Sequence, residues 1–306
     1  MNLEPINQTK LYGFNNTFNQ FVDLYKKKKI PTKILLSGQK GIGKCTFAYH
    51  LVNYILSFGE EYSYDLKNFS INTENKYFKL NLNGSNPNFS LIDVLDEKKN
   101  IDINQIRELI NNLNKSSFNS KERFVLIDNI EYLNVNSINA LLKVIEEPNE
   151  NIHFILINNH RKILSTLTSR CIKFNLSLSN SEKLSVCKSL LNENLDKIVN
   201  AELVDYYFSP GKIYNLVKFA QENKIDLATI NLKDFMNLII NKNLYKKESS
   251  IKHLVYDFVE LFLAKNTSKI SGNVQDYFLN QIDKTKRFNL DEESLFLKLK
   301  LELSNG

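Results

Sequence analysis

The chain has 306 residues, of which 42% are hydrophobic and 24% charged, and its formal net charge at pH 7 is +6. These totals indicate two or three domains with a sizeable core, and the charge permits contact with nucleic acid without indicating it. No apolar run reaches the length of a membrane span, and the N-terminus lacks a charged start before a hydrophobic stretch, so we expect a cytoplasmic protein. Three scattered cysteines, Cys45, Cys171 and Cys187, do not have zinc-site or disulfide spacing.

Helix and strand patterns alternate over the first half of the chain. Apolar residues at helical spacing predict a helix over 14–29. Apolar runs predict five strands, at 33–37, 89–95, 123–127, 152–157 and 171–174. Further helices are predicted after the glycine loop that follows the first strand, from Asp102 with Gln105 completing a capping box, over 136–147 before Pro148, and over 163–168. This alternation predicts an α/β fold whose parallel sheet is covered on both faces.

The strand patterns stop near Leu176. Short helices are predicted over 182–220, with Ser209-Pro-Gly211 as a turn between two of them. An apolar stripe from Ile251 to Phe262 and the stretch LDEESL at 290–295 predict further amphipathic helices. We therefore divide the chain into an α/β domain, a small helical domain and a C-terminal helical bundle, at 1–176, 177–225 and 226–306.

The stretch GQKGIGKC, residues 38–45, lies between a predicted strand and a predicted helix, as a phosphate-binding P-loop does. Gly38, Gly41 and Gly43 allow backbone N–H groups to turn toward phosphate oxygens, and Lys44 would add a full positive charge. Cys45 stands where a serine or threonine hydroxyl normally holds magnesium, and a neutral thiol is a poor ligand for that hard cation. The sequence therefore predicts a P-loop in which ATP is possible but not required and magnesium is weakly held.

The buried strand in FVLIDNIEYL, residues 124–133, ends in Asp128, which is the Walker B arrangement for holding magnesium. Asn129 follows where hydrolytic relatives have a glutamate, and the loss of a general base typically lowers the rate ~10²–10⁴-fold. Glu131 lies two residues further on, and its direction stays open. Alternatively, Asp128 only caps the strand end. We interpret the pattern as a degenerate nucleotide site without intrinsic ATPase activity.

Four stretches carry a family resemblance: GIGKCTFA at 41–48, INQIREL at 103–109, NALLKVIEEPNENIHFILINN at 139–159 and LSTLTSRC at 164–171. Together they resemble the clamp-loader subunits of bacterial DNA polymerase III, members of the AAA+ family, over residues 10–220. The resemblance implies an AAA+ P-loop domain, a helical lid and a helical collar that joins the subunits of a ring. Cys45, Asn129 and the absence of zinc cysteines resemble the delta-prime branch rather than the ATP-hydrolysing gamma/tau branch.

The resemblance also implies roles for single residues. Arg170 would be an arginine finger that reaches nucleotide on a neighbouring subunit, although a surface ion pair is the alternative. Asn158 or Asn159 lies at the sensor-1 position, and Lys212 lies near sensor 2. Arg107 and Lys115 would line the DNA-facing interior, with solvated helix positions as an equal alternative.

The implied partners are gamma/tau and delta subunits, the sliding clamp, and primed DNA through the assembled ring, all within the DNA polymerase III holoenzyme. Two other functions stay open. One is a gamma-like subunit that hydrolyses ATP itself, and the other is a stand-alone nucleic-acid-binding P-loop module.

Overall fold

The computed structural model describes residues 3–95, 98, 100–114, 119–146, 151–204, 208–246, 249–266, 270–288 and 293–305. The chain forms two compact units, Met1–Glu182 and Lys183–Gly306. The first boundary lies close to the predicted one at 176, and the further division at 225 stays a prediction. Within the described residues, no helix combines the length and the apolar character that crossing a membrane requires.

The first unit is built on a five-stranded sheet in the order β2-β3-β4-β1-β5, and every pairing is parallel. Its strands are β1 Lys33–Ser37, β2 Phe89–Ile92, β3 Arg123–Ile127, β4 Ile152–Asn158 and β5 Ile172–Asn175. All seven residues of β4 are buried, as expected for an inner strand covered on both faces. The predicted α/β class with a parallel sheet is confirmed. Because the strands are parallel, the loops after β1, β3 and β4 meet at one edge of the sheet.

Helices cover this sheet. They are α1 Asn15–Lys26, α2 Lys44–Leu56, α3 Lys76–Leu82, α4 Ile103–Leu113, α5 Val135–Glu146 and α6 Ser165–Thr168. The predicted capping box at the start of α4 is confirmed, since the Asp102 side chain accepts from the backbone and the Gln105 side chain accepts from Asp102 N. Pro148, which was predicted to end α5, lies outside the described residues. The predicted strand 89–95 is shorter, because Asp93 already turns out of the sheet and accepts a hydrogen bond from Val94 N.

The sequence patterns did not predict α3. Its N-cap is Asn75, a buried residue whose side-chain oxygen accepts from Phe78 N at 3.0 Å and from Asn53 Nδ2 at 3.0 Å. Asparagine is counted as polar in a periodicity reading, so a helix that is anchored through buried asparagines gives a weak apolar stripe.

The P-loop is held by a tightly packed helix. Eleven of the thirteen residues of α2 are buried, and Phe47 makes edge-to-face contacts with Phe14, Phe18 and Phe21. The helix that follows the loop is therefore enclosed by aromatic rings on its α1 side. Lys44 and Cys45, at its first two positions, inherit this rigid placement.

Within its described residues the second unit contains helices and no strand. Its helices are α7 Asn180–Leu191, which begins just before the boundary, then α8 Leu195–Ile198, α9 Pro210–Glu222, α10 Leu232–Asn241, α11 Ser249–Lys265, α12 Gly272–Phe288 and α13 Glu293–Asn305. The predicted turn at Ser209-Pro-Gly211 is wrong. Ser209 instead caps α9, and Pro210 occupies its first position, where a missing N–H has no consequence.

The core of the second unit includes much of the predicted apolar stripe of α11. Leu254, Val255, Phe258 and Leu261 are buried. The burial of Ile251 and the start of the predicted helix at 290–292 lie outside the described residues.

Candidate functional site

The shape of the P-loop is set by its own backbone. Gly41 and Gly43 have φ values of 84° and 98°, in the left-handed region that glycine adopts without strain. Gly38 lies so close to the backbone directly after β5 that an added Cβ would be 2.3 Å from the backbone oxygen of Leu176. The three predicted glycines are therefore required for the loop conformation itself, whether or not a phosphate lies in it.

Lys44 is buried, with 4% of its surface exposed, and its ammonium group is fully engaged inside the protein. Nζ donates to the backbone oxygens of Gly38 and Gln39 and to Asn159 Oδ1, each at 2.8 Å. An ammonium has three N–H donors, so these bonds account for all of them. Burial lowers the pKa of Lys44 to about 8, against the opposing effect of Asp128 and Glu131. A phosphate could bind Lys44 only by replacing at least one of these acceptors.

Asn159 connects Lys44 to the ends of two other strands. Its Nδ2 donates to Asn129 Oδ1 at 2.8 Å and to Glu131 Oε1 at 2.9 Å. Asn129 Nδ2 donates in turn to Asp93 Oδ1 at 2.8 Å. We call Lys44, Asn159, Asn129, Glu131 and Asp93 the amide network. It joins the P-loop lysine to the ends of β2, β3 and β4 through hydrogen bonds between side chains.

Asn129 has a φ of 54°, which asparagine tolerates better than most residues do. Its side chain acts both as a donor to Asp93 and as an acceptor from Asn159. An ionised glutamate at this position could only accept, and it would place a second negative charge near Asp93. Asn129, where the sequence predicts that a general base is missing, is thus the residue that closes the amide network.

Cys45 and Asp128 face each other beside this network. The Cys45 thiol donates to the Asp128 carboxyl group, and burial, followed by the effect of Asp128, raises the pKa of that thiol well above its usual value. Burial and the nearby Asp93 carboxylate raise the pKa of Asp128 to about 6, although Asn129 N donates to its Oδ1 at 2.7 Å. A protonated thiol hydrogen-bonded to this carboxyl does not fit Mg²⁺, which requires oxygen ligands. Within the described residues, no group of three or more His, Cys, Asp or Glu could hold a metal ion.

The two asparagines at the end of β4 have different contacts. Asn158 Nδ2 donates to the backbone oxygen of Arg161 at 2.9 Å, and its Oδ1 accepts from Arg161 N, so it stabilises the turn after the strand. Asn159, the other sensor-1 candidate, makes the contact with Lys44. Asp93 was not singled out from the sequence, and the direction of Glu131 was left open. The polar residues that directly follow β2 and β3 were the available signal for both.

Arg170 lies at the surface, just after α6. Its Nε donates to Glu146 Oε1 at 2.8 Å, one terminal nitrogen lies 2.6 Å from the same oxygen, and the other donates to the backbone oxygen of Thr166 at 2.7 Å. The side chain keeps 36% of its surface exposed. The isolated chain therefore contains the ion pair that the sequence left as an alternative, and a role across a subunit boundary stays a prediction.

The structure does not test the roles of the other predicted contact residues. Lys212 is in the second unit, where its Nζ donates to Asp257 Oδ2 at 2.6 Å and links α9 to α11. Arg107 is exposed on α4, and Lys115 lies outside the described residues. Their predicted contacts with nucleotide or DNA stay predictions.

The proteins similar to this chain include subunits of DNA polymerase III. A solved gamma subunit-related protein of DNA polymerase III from Thermotoga maritima is 15% identical, with a TM-score of 0.49, and the alignment covers 93% of this chain and 98% of that one. A gamma subunit from Buchnera aphidicola subsp. Schizaphis graminum is 30% identical over 69% of this chain and 57% of its own length. The delta-prime subunit of the same organism is 26% identical over 82% of this chain and 76% of its own length.

A family model described as "DNA polymerase III, delta subunit" matches residues 13–180, which is more than half of the chain and contains the P-loop, the amide network and Arg170. The chain therefore belongs to the family of bacterial DNA polymerase III clamp-loader delta-prime subunits.

Proposed function

We propose that this chain is a ring member of a clamp loader that hydrolyses little or no ATP itself and supplies Arg170 to nucleotide held by a neighbouring gamma/tau-type subunit. In that ring it would help to open a sliding clamp and place it on primed DNA in the cytoplasm. The observation that best supports the proposal is the state of Lys44, whose three donors are all taken by acceptors of the chain itself.

Three features argue against hydrolysis at this P-loop. The lysine is internally satisfied, the magnesium position holds a protonated thiol, and the position of the general base holds an amide. The loss of the general base alone lowers the rate of hydrolysis ~10²–10⁴-fold. A weak magnesium site adds to this loss, because the metal neutralises the charge that develops on the phosphates.

Arg170 suits the role of a finger because it is exposed and permanently charged. A guanidinium donated in trans can accelerate phosphoryl transfer ~10³–10⁵-fold. The exposed Arg107 and the net charge of +6 suit contact with DNA phosphates rather than with base edges.

Reconstitution with gamma/tau and delta subunits tests the proposal. The isolated chain should show no ATP turnover beyond that of a Lys44→Ala variant, and the assembled ring should lose most of its ATPase and clamp-loading activity when it carries Arg170→Ala. Lys79→Ala, which removes another exposed ion-paired cation of the same unit, is the matched control and should behave as wild type. ATP turnover by the isolated chain that disappears with Lys44→Ala, together with a fully active Arg170→Ala ring, would refute it.

A gamma-like ATPase is the second candidate, and the position of Glu131 favours it. This carboxylate lies 2.9 Å from Asn159 Nδ2, one hydrogen bond away from Lys44. A nucleotide that opened the amide network would leave Glu131 near its phosphates as a substitute base. Turnover by the isolated chain that is abolished by Glu131→Gln would establish this function.

A further inference from the structure

Arg170 is fixed at two sides of its guanidinium group. One side is held by Oε1 of Glu146, which accepts from Nε at 2.8 Å and lies 2.6 Å from a terminal nitrogen. The other is held by the backbone oxygen of Thr166, which accepts from the second terminal nitrogen at 2.7 Å. A planar guanidinium that is held on two sides cannot rotate freely about the bonds of its side chain. Its orientation is therefore set by the protein rather than by solvent.

The anchors leave part of the group available. A guanidinium carries five N–H donors. The Nε donor bonds to Glu146 and one terminal donor bonds to Thr166, while the other terminal nitrogen contacts the same Glu146 oxygen as an ion pair. At least one N–H on each terminal nitrogen remains outside these hydrogen bonds, and among the described residues no acceptor is recorded for it. The two terminal nitrogens of a guanidinium form a fork that can donate to two oxygens of a phosphate.

Glu146 lies in α5, and its carboxylate is paired with Arg170. Thr166, the other anchor, is in the four-residue helix α6, where its backbone oxygen also accepts from the Ser169 hydroxyl at 3.2 Å. A side chain of α5 and a backbone oxygen of α6 thus meet at one guanidinium.

We propose that Glu146 is a positioning residue that holds Arg170 so that its free fork faces outward, toward phosphate oxygens of nucleotide on the adjacent subunit. This inference rests on the proposed function, because it concerns the orientation of the finger in the assembled ring. Without Glu146 the side chain keeps only the Thr166 anchor and samples other rotamers. Small misplacement of a group that acts in the transition state lowers the rate steeply.

The test uses the reconstituted loader with gamma/tau and delta subunits and compares wild type with Glu146→Ala, Glu146→Gln and Arg170→Ala. Glu146→Ala should lower the kcat of the ring ATPase roughly 10-fold and leave KM for ATP unchanged, because the finger acts in the transition state. Glu146→Gln keeps an oxygen acceptor without the charge, so its kcat should lie between those of wild type and Glu146→Ala. Glu74→Ala, which removes the acceptor of the exposed Lys79 ion pair in the same unit, should match wild type.

The double variant Glu146→Ala with Arg170→Ala separates positioning from a structural role. It should be no slower than Arg170→Ala alone, and its assembly and thermal unfolding should match those of that single variant. A further loss in the double variant, a wild-type rate for Glu146→Ala, or a faster rate from a released finger would each overturn the positioning role. In those cases a slow Arg170→Ala ring leaves the proposed function standing. A fully active Arg170→Ala ring overturns both. If Glu146→Ala does not assemble, Glu146→Gln gives the same comparison.

Discussion

Replacing Asp128 by asparagine is expected to stabilise the first unit at neutral pH. Burial and the Asp93 carboxylate raise the pKa of Asp128 from 3.8 to about 6. A difference of this size corresponds to ~3 kcal/mol between the two protonation states of one group. The side chain keeps some contact with solvent, so we expect a gain of ~1–3 kcal/mol in the free energy of unfolding. An asparagine oxygen can still accept from Asn129 N and from the Cys45 thiol.

The gain in the free energy of unfolding should increase as the pH rises. Because the pKa of Asp128 is higher in the folded chain than in the unfolded chain, the folded chain binds the extra proton between pH 3.8 and about 6. The stabilisation from protonated Asp128 is complete below that window and is lost as the pH rises through it. Asparagine does not titrate. The advantage of the variant should therefore be smallest near pH 4, grow up to pH 6 and remain constant near pH 7.

Urea unfolding at several values between pH 4 and pH 7.5, followed by circular dichroism, measures this difference, and hydrogen exchange of the α2 amides assigns it to the first unit. Asp23→Asn is the control, because Asp23 is exposed on α1 of the same unit, so the change should be small at every pH. A destabilised Asp128→Asn variant, or a gain that is the same at pH 4 and pH 7, would refute the reasoning.

Three further predictions follow from other buried contacts. Gly38→Ala should destabilise the first unit by ~1–3 kcal/mol, because the new Cβ would meet a backbone oxygen at 2.3 Å. The Cβ of Gly272→Ala meets nothing within 4 Å, so this control should be tolerated. Thermal unfolding measures both variants. Burial lowers the pKa of His50 to about 4. The stability that neutral His50 contributes to the fold is therefore present above pH 6.5 and is lost as the pH falls toward 4. A His50→Gln variant should show a flatter pH profile in urea unfolding. Asn159→Ala should release one donor of Lys44 and tighten the binding of a fluorescent ATP analogue to the isolated chain, and unchanged or weaker binding would contradict the closed state of the site.

The sequence predicted the sheet better than the site. The strands β1 and β3 begin and end where they were predicted, because each is a short apolar run bounded by polar residues, by glycine or by proline. The helix α3 and the true role of Ser209 were missed, since both depend on hydrogen bonds from polar side chains to the backbone. The bonds of Lys44 were also beyond sequence reasoning. Two of its acceptors are backbone oxygens, and the third is an amide 115 residues away in the chain.

The choice between Asn158 and Asn159 shows the same limit. The two residues are neighbours, and both follow an apolar run, so no pattern separates them. In the structure the first faces the turn at Arg161 and the second faces Lys44. Successive side chains at a strand end point in different directions, and a one-residue difference decides which of them enters the site.

The retained and the altered positions of the predicted nucleotide site differ in physical role. Gly38 and Lys44 are retained, and both have a structural role without a ligand. Gly38 permits the close approach of a backbone oxygen, and Lys44 donates to three acceptors. Cys45 and Asn129 are the altered positions, and in an ATPase both act on the metal or on the attacking water. In the proposed function, loss of hydrolysis removes the chemical requirement at two positions and leaves the structural requirement at the others. A well-formed P-loop in this chain is then no evidence for turnover, and the test of the proposed function belongs at Arg170 rather than at Lys44.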